Sequence, residues 1–240
     1  MGERVRHELV PGFVLHRRPY RETSALLEVF TASQGRVGLV ARGVQGGRPR
    51  RRAELQAFRP LRLSWQARGE LGTLSGVEAG GAALTLTGAA LYSGFYLNEL
   101  LLRLLQRNDP QPVLFARYHD TLNRLCAPAP ELERALRLFE KTLLQEAGYG
   151  LPLEADALSG DPVDPQGLYE YRLEQGPVRV DAGRREGLLI SGASLLALHR
   201  GELVGEALRD ARRLMRAALD LYLGGKPLKS RELFRRVGGR

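Results

Sequence analysis

Five short apolar runs, separated by turns about every ten residues, fill the first eighty positions. No other feature narrows the possible folds as much. The runs are Glu8–Arg17, Thr23–Thr31, Val37–Ala41, Leu55–Trp65 and Leu71–Glu78. Arg17-Arg18-Pro19-Tyr20-Arg21 reads as the first turn, because Pro19 presets φ and removes a donor. Ser33-Gln34-Gly35 reads as a short hairpin connection. Val37–Ala41 is apolar at nearly every residue, which suits a strand buried on both faces. Evenly spaced short strands favour a small barrel or sandwich over a parallel sheet. Five of them in about eighty residues suit an OB-fold barrel, whose open face and loops commonly bind nucleic-acid strands.

The pattern changes after Ala79-Gly80-Gly81-Ala82-Ala83, which reads as a hinge. From Leu84 the apolar residues recur at helical spacing to about Arg107. Glu99 falls within that helix and, if buried, needs a partner that the sequence does not identify. Asp109-Pro110 caps and opens a second helix, to about Leu125. A third runs from Pro130 to Ala147 and stops at Gly148. Residues 149–190 hold prolines, glycines and two strand-like pieces, Leu168–Leu173 and Pro177–Val180. Helix resumes at Leu195–Leu198, and Glu206–Leu223 carries a clean apolar stripe. The expected class is α+β: a barrel over 1–80, helical segments over 81–148 and 191–240, and a small insertion over 149–190.

Charge is the second constraint. Residues 1–52 hold eleven arginines against four glutamates, a surplus of seven in a chain whose formal charge is +9. Lysine is absent from the first eighty residues. A guanidinium is always charged and grips phosphate through two parallel hydrogen bonds. The expected DNA surface is therefore Arg17, Arg18, Arg21, Arg36 and Arg42, with Arg48, Arg50, Arg51 and Arg52 of the loop Gly43–Arg52. Lys226, Lys229 and Arg231 form a second candidate patch. Tyr20 is the one aromatic of this half expected to be exposed; Phe30, Phe58 and Trp65 are expected in the core. The bland alternative is a solvated basic surface with no partner.

Other chemistries find little support. Gly225-Lys226 lacks the first glycine of a phosphate loop, and Pro227 stands where Ser or Thr must hold magnesium. His7, His16, His119 and His199 lack ligand spacing. Cys126 is the only cysteine, so no internal disulfide forms, and it is expected to pack as a small apolar residue. No catalytic residue, cofactor or metal is expected. No apolar run approaches the roughly 18 residues of a membrane span, and the amino terminus lacks a signal-peptide core. A cytoplasmic, nucleoid-associated protein is expected.

Several stretches, in order and along nearly the whole chain, resemble a known family. They are Gly12-Phe-Val-Leu-His-Arg-Arg-Pro-Tyr-Arg-Glu-Thr-Ser-Ala-Leu-Leu27, Gly35-Arg-Val-Gly-Leu-Val-Ala-Arg-Gly43, Tyr92 with Phe95-Tyr-Leu-Asn-Glu-Leu-Leu101, Phe139-Glu140 with Gly148-Tyr-Gly150, and Leu223-Gly-Gly-Lys-Pro-Leu-Lys-Ser-Arg-Glu-Leu233. Together they resemble RecO, the bacterial recombination mediators, in the Deinococcus-type branch. The resemblance implies an OB fold, then a helical domain interrupted by a zinc-binding module. It implies binding of single- and double-stranded DNA and annealing of complementary strands. It also implies work with RecR to load RecA onto strands coated by the single-stranded-DNA-binding protein SSB, whose acidic tail would meet an apolar groove of the helical domain. Many relatives carry two Cys-x-x-Cys pairs in the interruption. The matching positions here are Asp156, Ser159, Asp181 and Arg184, so the module is expected to persist without zinc. Two other readings stand beside it: an RNA-binding protein that uses the same basic barrel, and a structural adaptor of a DNA-processing complex in which the helical bundle is the functional half and the basic barrel is incidental.

Overall fold

The computed structural model describes residues 5–44, 53–181, 183, 186–230 and 232. β1 (Val5–Tyr20), β2 (Ser24–Thr31), β3 (Gly35–Ala41), β4 (Leu61–Arg68) and β5 (Leu71–Ala79) close into a barrel in the order β1-β2-β3-β5-β4. Neighbours are antiparallel except β3 and β5, which run parallel where Gly38–Val40 meets Leu71–Thr73. The 16-residue β1 serves two partners: Val5–Gly12 pairs with β4 and Gly12–Tyr20 with β2. Register breaks at His7/Val10 and Val14/His16 let it bend between them. Val14, Leu27, Val29, Leu39, Leu63 and Trp65 fill the interior. The five-stranded barrel expected from strand spacing is present, and its topology accounts for β3 being buried along most of its length.

In the barrel, the first turn and the start of the fourth strand differ from expectation. The first turn is Arg21–Thr23, and Pro19 stays in β1, paired with Ala25. There β1 has a neighbour on one side only, where a missing N–H is tolerated. The fourth strand begins at Leu61, not Leu55. Pro60 precedes it, and Phe58 has a φ of 63°, which breaks any extended run. Leu55 and Phe58 are nevertheless buried, at 1% and 5% exposure. Phe30 and Trp65 are core residues as expected.

Among the described residues, five helices follow: α1 (Gly88–Leu104), α2 (Pro112–Arg124), α3 (Ala129–Glu146), α4 (Gly192–Arg200) and α5 (Gly205–Tyr222). Between α3 and α4 lies a small antiparallel sheet of β6 (Leu168–Arg172), β7 (Gly176–Val180) and β8 (Leu189–Ser191), ordered β7-β6-β8. Strand β8 has three residues, too few for alternation to show in sequence.

By packing, the chain divides into two compact units. One runs through Cys126 and resumes at Leu228; the other is Ala127–Pro227. The Ala79–Ala83 link therefore lies inside the first unit. There α1 and α2 cover one side of the barrel. Phe13 and Phe30 meet Phe115 and Tyr118 at ring separations of 5.2–6.1 Å. Asn98 of α1 donates to the Leu15 carbonyl at 2.9 Å and accepts from the Tyr118 hydroxyl at 2.6 Å. Burial pushes that hydroxyl far above the usual phenol range, so it stays a donor. The loop between α1 and α2 runs along β3, with the Asn108 N–H on the Arg36 carbonyl at 2.9 Å. Cys126 is exposed, contrary to its expected packing, because it lies past the end of α2 where the chain leaves this unit.

In the second unit, α5 packs on α3 and α4 through Ala211, Leu214, Met215, Ala218 and Leu219. Lys141 of α3 closes the carboxyl end of α4, donating to the Leu198 carbonyl at 3.0 Å. Arg137 and Glu140 form an ion pair at 2.6 Å whose side chains are 11% and 1% exposed.

Candidate nucleic-acid interface

The register of β1, β2 and β3 decides where the basic side chains go. Pro19 pairs with Ala25, and Ala25 with Ala41. One row further along, Tyr20 pairs with Ser24. Arg18, Arg21 and Arg42, separated by up to 24 positions in sequence, thus meet at one rim of the barrel. All three are exposed, and none has an ion pair among the described residues. Arg21, at a φ of 54°, lies over the Tyr20 ring at 5.3 Å from its centroid. This cation–π contact pairs a guanidinium with a half-buried aromatic at the rim. Arg17 is half-buried and shares its strand face with Leu27. Three exposed guanidinium groups on one rim, with the chain running on into Arg48–Arg52, can hold a run of phosphates. Arg48, Arg50, Arg51 and Arg52 lie outside the described residues.

Arg36 is a correction. It was expected at the surface, but its guanidinium turns onto the helical side of the unit and donates to the Leu102 carbonyl. Burial lowers its pKa, opposed by Glu28 and aided by Arg107. Glu28 in turn pairs with Arg107 of the α1–α2 loop. Arg36, Glu28 and Arg107 are thus a structural charge cluster joining barrel to helices. Nothing local in the sequence marks this cluster, because it depends on the helical cover over β2 and β3.

The second patch is divided. Lys226 is exposed in the second unit, Lys229 is exposed in the first, and Arg231 lies outside the described residues. What fixes Lys229 is the backbone. Its N–H and that of Ser230 donate to the Glu99 carboxylate at 3.0 and 2.9 Å, and the Ser230 hydroxyl donates at 2.7 Å. This supplies the partner that Glu99 requires. The anion caps the amino end of a returning helical turn, and Leu228 is buried beside it at 2% exposure. No sequence rule pairs residues 130 positions apart.

Family models complete the picture. Residues 7–81 match the model described as Recombination protein O N terminal, and residues 86–232 match Recombination protein O C terminal. The chain belongs to the RecO family. The protein of Alkalilimnicola ehrlichii named DNA repair protein RecO is 53% identical, across 95% of this chain and 90% of the relative. Those of Nitrosococcus oceani and Methylococcus capsulatus, with the same name, are 51% and 47% identical over at least 95% of both chains. None of these three is a Deinococcus; the family is shown and the branch is not. The OB-type barrel followed by helices is the arrangement expected of RecO, in a family of DNA repair proteins. Among the described residues, no helix is long and apolar enough to cross a membrane.

The zinc module implied by the RecO resemblance does not fit the donors at this site. The Asp156 carboxylate is already held by backbone N–H groups: Leu158 at 2.8 Å and Ser159 at 2.9 Å on one oxygen, Arg179 at 2.6 Å on the other. The Ser159 hydroxyl accepts from the Asp161 N–H at 3.2 Å. Asp181 is exposed, and Arg184 lies outside the described residues. Asp156 thus ties its loop to β7 by hydrogen bonds, in a place where a metal would tie thiolates. The Ser159 N–H, followed by that of Arg179, holds its carboxyl below the usual range. The stabilisation is therefore present above the unfolded carboxyl pKa and is lost as pH falls through the lower, folded one. Asp156→Ala is expected to destabilise the second unit by about 2 kcal/mol, since it orphans charge-assisted N–H bonds. Denaturant unfolding should show the loss at neutral pH, and the gap between variant and wild type should close in acid. A gap independent of pH would remove the carboxylate from this role.

Proposed function

We propose that this protein binds single- and double-stranded DNA through the Arg18–Arg21–Arg42 rim and through Arg48, Arg50, Arg51 and Arg52 further along the sequence, and anneals complementary strands. With RecR it would then help load RecA onto SSB-coated single strands, working at the nucleoid in the cytoplasm. The observation that carries the DNA surface is the convergence on one barrel rim of three exposed arginines without an ion pair among the described residues, in a chain of the RecO family. RecR, SSB and RecA rest on the resemblance. No covalent step is needed, so the protein works without being an enzyme. Complementary strands repel each other through their phosphates, and a cationic surface touching both lowers that repulsion and raises their local concentration.

The test is annealing of complementary oligonucleotides with SSB present, comparing wild type with a variant carrying alanine at Arg50, Arg51 and Arg52. Wild type should accelerate annealing. The variant should bind all sequences more weakly and show a salt slope shallower by about 2, at roughly 0.7 per lost single-strand phosphate contact. An unchanged slope takes the loop out of the surface. RNA competing as well as DNA, or no DNA binding at low salt, would favour the RNA-binding or adaptor reading instead.

A further inference from the structure

Two stretches that stand out in the sequence play no part in the barrel rim: Gly148-Tyr149-Gly150 and Tyr222-Leu223-Gly224-Gly225-Lys226. The second unit folds them onto each other. Gly148 ends α3 with a φ of 84°, and the Tyr149 N–H returns to the Leu144 carbonyl at 2.7 Å. Tyr222 is the last residue of α5. The two rings stack almost parallel, 4.1 Å between centroids with planes 19° apart. Tyr149 is nevertheless 40% exposed. Tyr171 of β6, 3% exposed, adjoins the pair; burial first, then the neighbouring Tyr222, pushes its hydroxyl above the phenol range. The Tyr149 ring is therefore backed by Tyr222, which in turn neighbours Tyr171 of the small sheet.

We propose that Tyr149, backed by Tyr222, is a base-stacking platform for single-stranded nucleic acid. This rests on the DNA-binding reading above and adds a second contact point, in the other unit, that reads unpaired bases rather than phosphates. Every unpaired base has a free π-face, whereas a duplex hides most of its base faces in its own stack. The local charge fits a base better than a bare phosphate. Lys226 is exposed four residues beyond Tyr222, and the Tyr222 hydroxyl is pushed up by burial first, then by nearby Glu174 and Tyr149. A flat, uncharged base tolerates that mixture, and an aromatic ring held in place loses little side-chain freedom on binding it.

The test uses the full-length protein with Tyr149→Ala and Tyr149→Phe. Equilibrium binding is measured on a thymidine oligomer, an abasic oligomer of equal length, and a duplex of equal length, at one ionic strength. Tyr149→Ala should bind the thymidine oligomer about tenfold more weakly, the usual effect of losing one stacked base. Wild type should lose about as much on the abasic oligomer, where Tyr149→Ala loses nothing further. Tyr149→Phe should stay within about twofold of wild type, and duplex affinity should not move. The phenylalanine variant keeps the packing, so wild-type discrimination between thymidine and abasic strands remains readable even if the alanine variant fails to fold. Unchanged single-strand affinity in Tyr149→Ala would overturn the proposal and leave the ring face to a protein side chain. Equal losses on thymidine, abasic and duplex DNA would overturn it too, as a general weakening. Wild type binding neither strand nor duplex would take down the DNA-binding reading itself. Steep salt dependence with no effect at Tyr149 would remove only the platform.

Discussion

Alanine at Arg18, Arg21 and Arg42 together is expected to weaken binding of a short single strand about a hundredfold at moderate salt. Exposed charge-assisted contacts are worth about 1 kcal/mol apiece, and three on one rim act on the same ligand. The slope of log affinity against log salt should fall by about 2 on single strands. The loss should be the same for unrelated sequences, because phosphate contacts position a strand without reading it. None of the three side chains has an ion pair among the described residues, so the fold should not suffer. Fluorescence anisotropy across a salt series, with a thermal melt as control, measures both quantities. A variant that keeps wild-type affinity and slope would show that the rim does not hold the backbone.

Gly35→Ala is expected to cost the first unit about 3 kcal/mol or more. Gly35 begins β3 with a φ of 61°, which an alanine adopts only with strain of about 1–2 kcal/mol. Its Cβ would stand 1.8 Å from the Asp109 carbonyl oxygen, a backbone atom that cannot rotate aside. Relieving the overlap means lifting the α1–α2 loop off β3. That breaks the Asn108–Arg36 hydrogen bond and separates Arg107 from Glu28. Overpacking of this kind adds about 1–3 kcal/mol to the backbone strain. Gly148→Ala is the matched control: its φ is 84°, but a Cβ there meets nothing within 4 Å, so about 1 kcal/mol is expected. Urea unfolding of the two variants compares them directly. Similar midpoints would mean that the loop yields easily and that steric fit at Gly35 matters little.

The barrel was legible because alternation and turn residues are local, and each strand carries its own signal. Helix limits were legible only in part: Gly148 follows α3 as expected, whereas α2 opens at Pro112 after Gln111 and not at Asp109-Pro110. What escaped is everything that depends on a distant partner. Pro19 looks like a turn until one knows that β4 has already left β1. Leu55 looks like strand, yet it fills the barrel from a segment ahead of Pro60. Arg36 has the same chemistry as Arg42, and only the helix over β3 decides that one is internal and the other exposed. Tyr149 and Tyr222 appear in sequence as ends of two helices, 73 positions apart, with nothing to mark them as a stacked pair. Charge bias drew the candidate surface to the amino-terminal part of the chain, and strand register brings Arg18, Arg21 and Arg42 to one rim.

The link from Glu99 to Ser230 has a consequence for biosynthesis. The first unit contains residues made before the second unit and also Leu228, which is made after all of it. On the ribosome, the capping N–H groups for Glu99 do not yet exist when α1 is complete. The intervening residues 127–227 must emerge, and can collapse on their own core, before the older half receives its final piece. A nascent chain halted at Pro227 would therefore leave a half-buried carboxylate without the donors that neutralise it. Such a prematurely terminated product would be flawed in its oldest part, not only shortened at its newest.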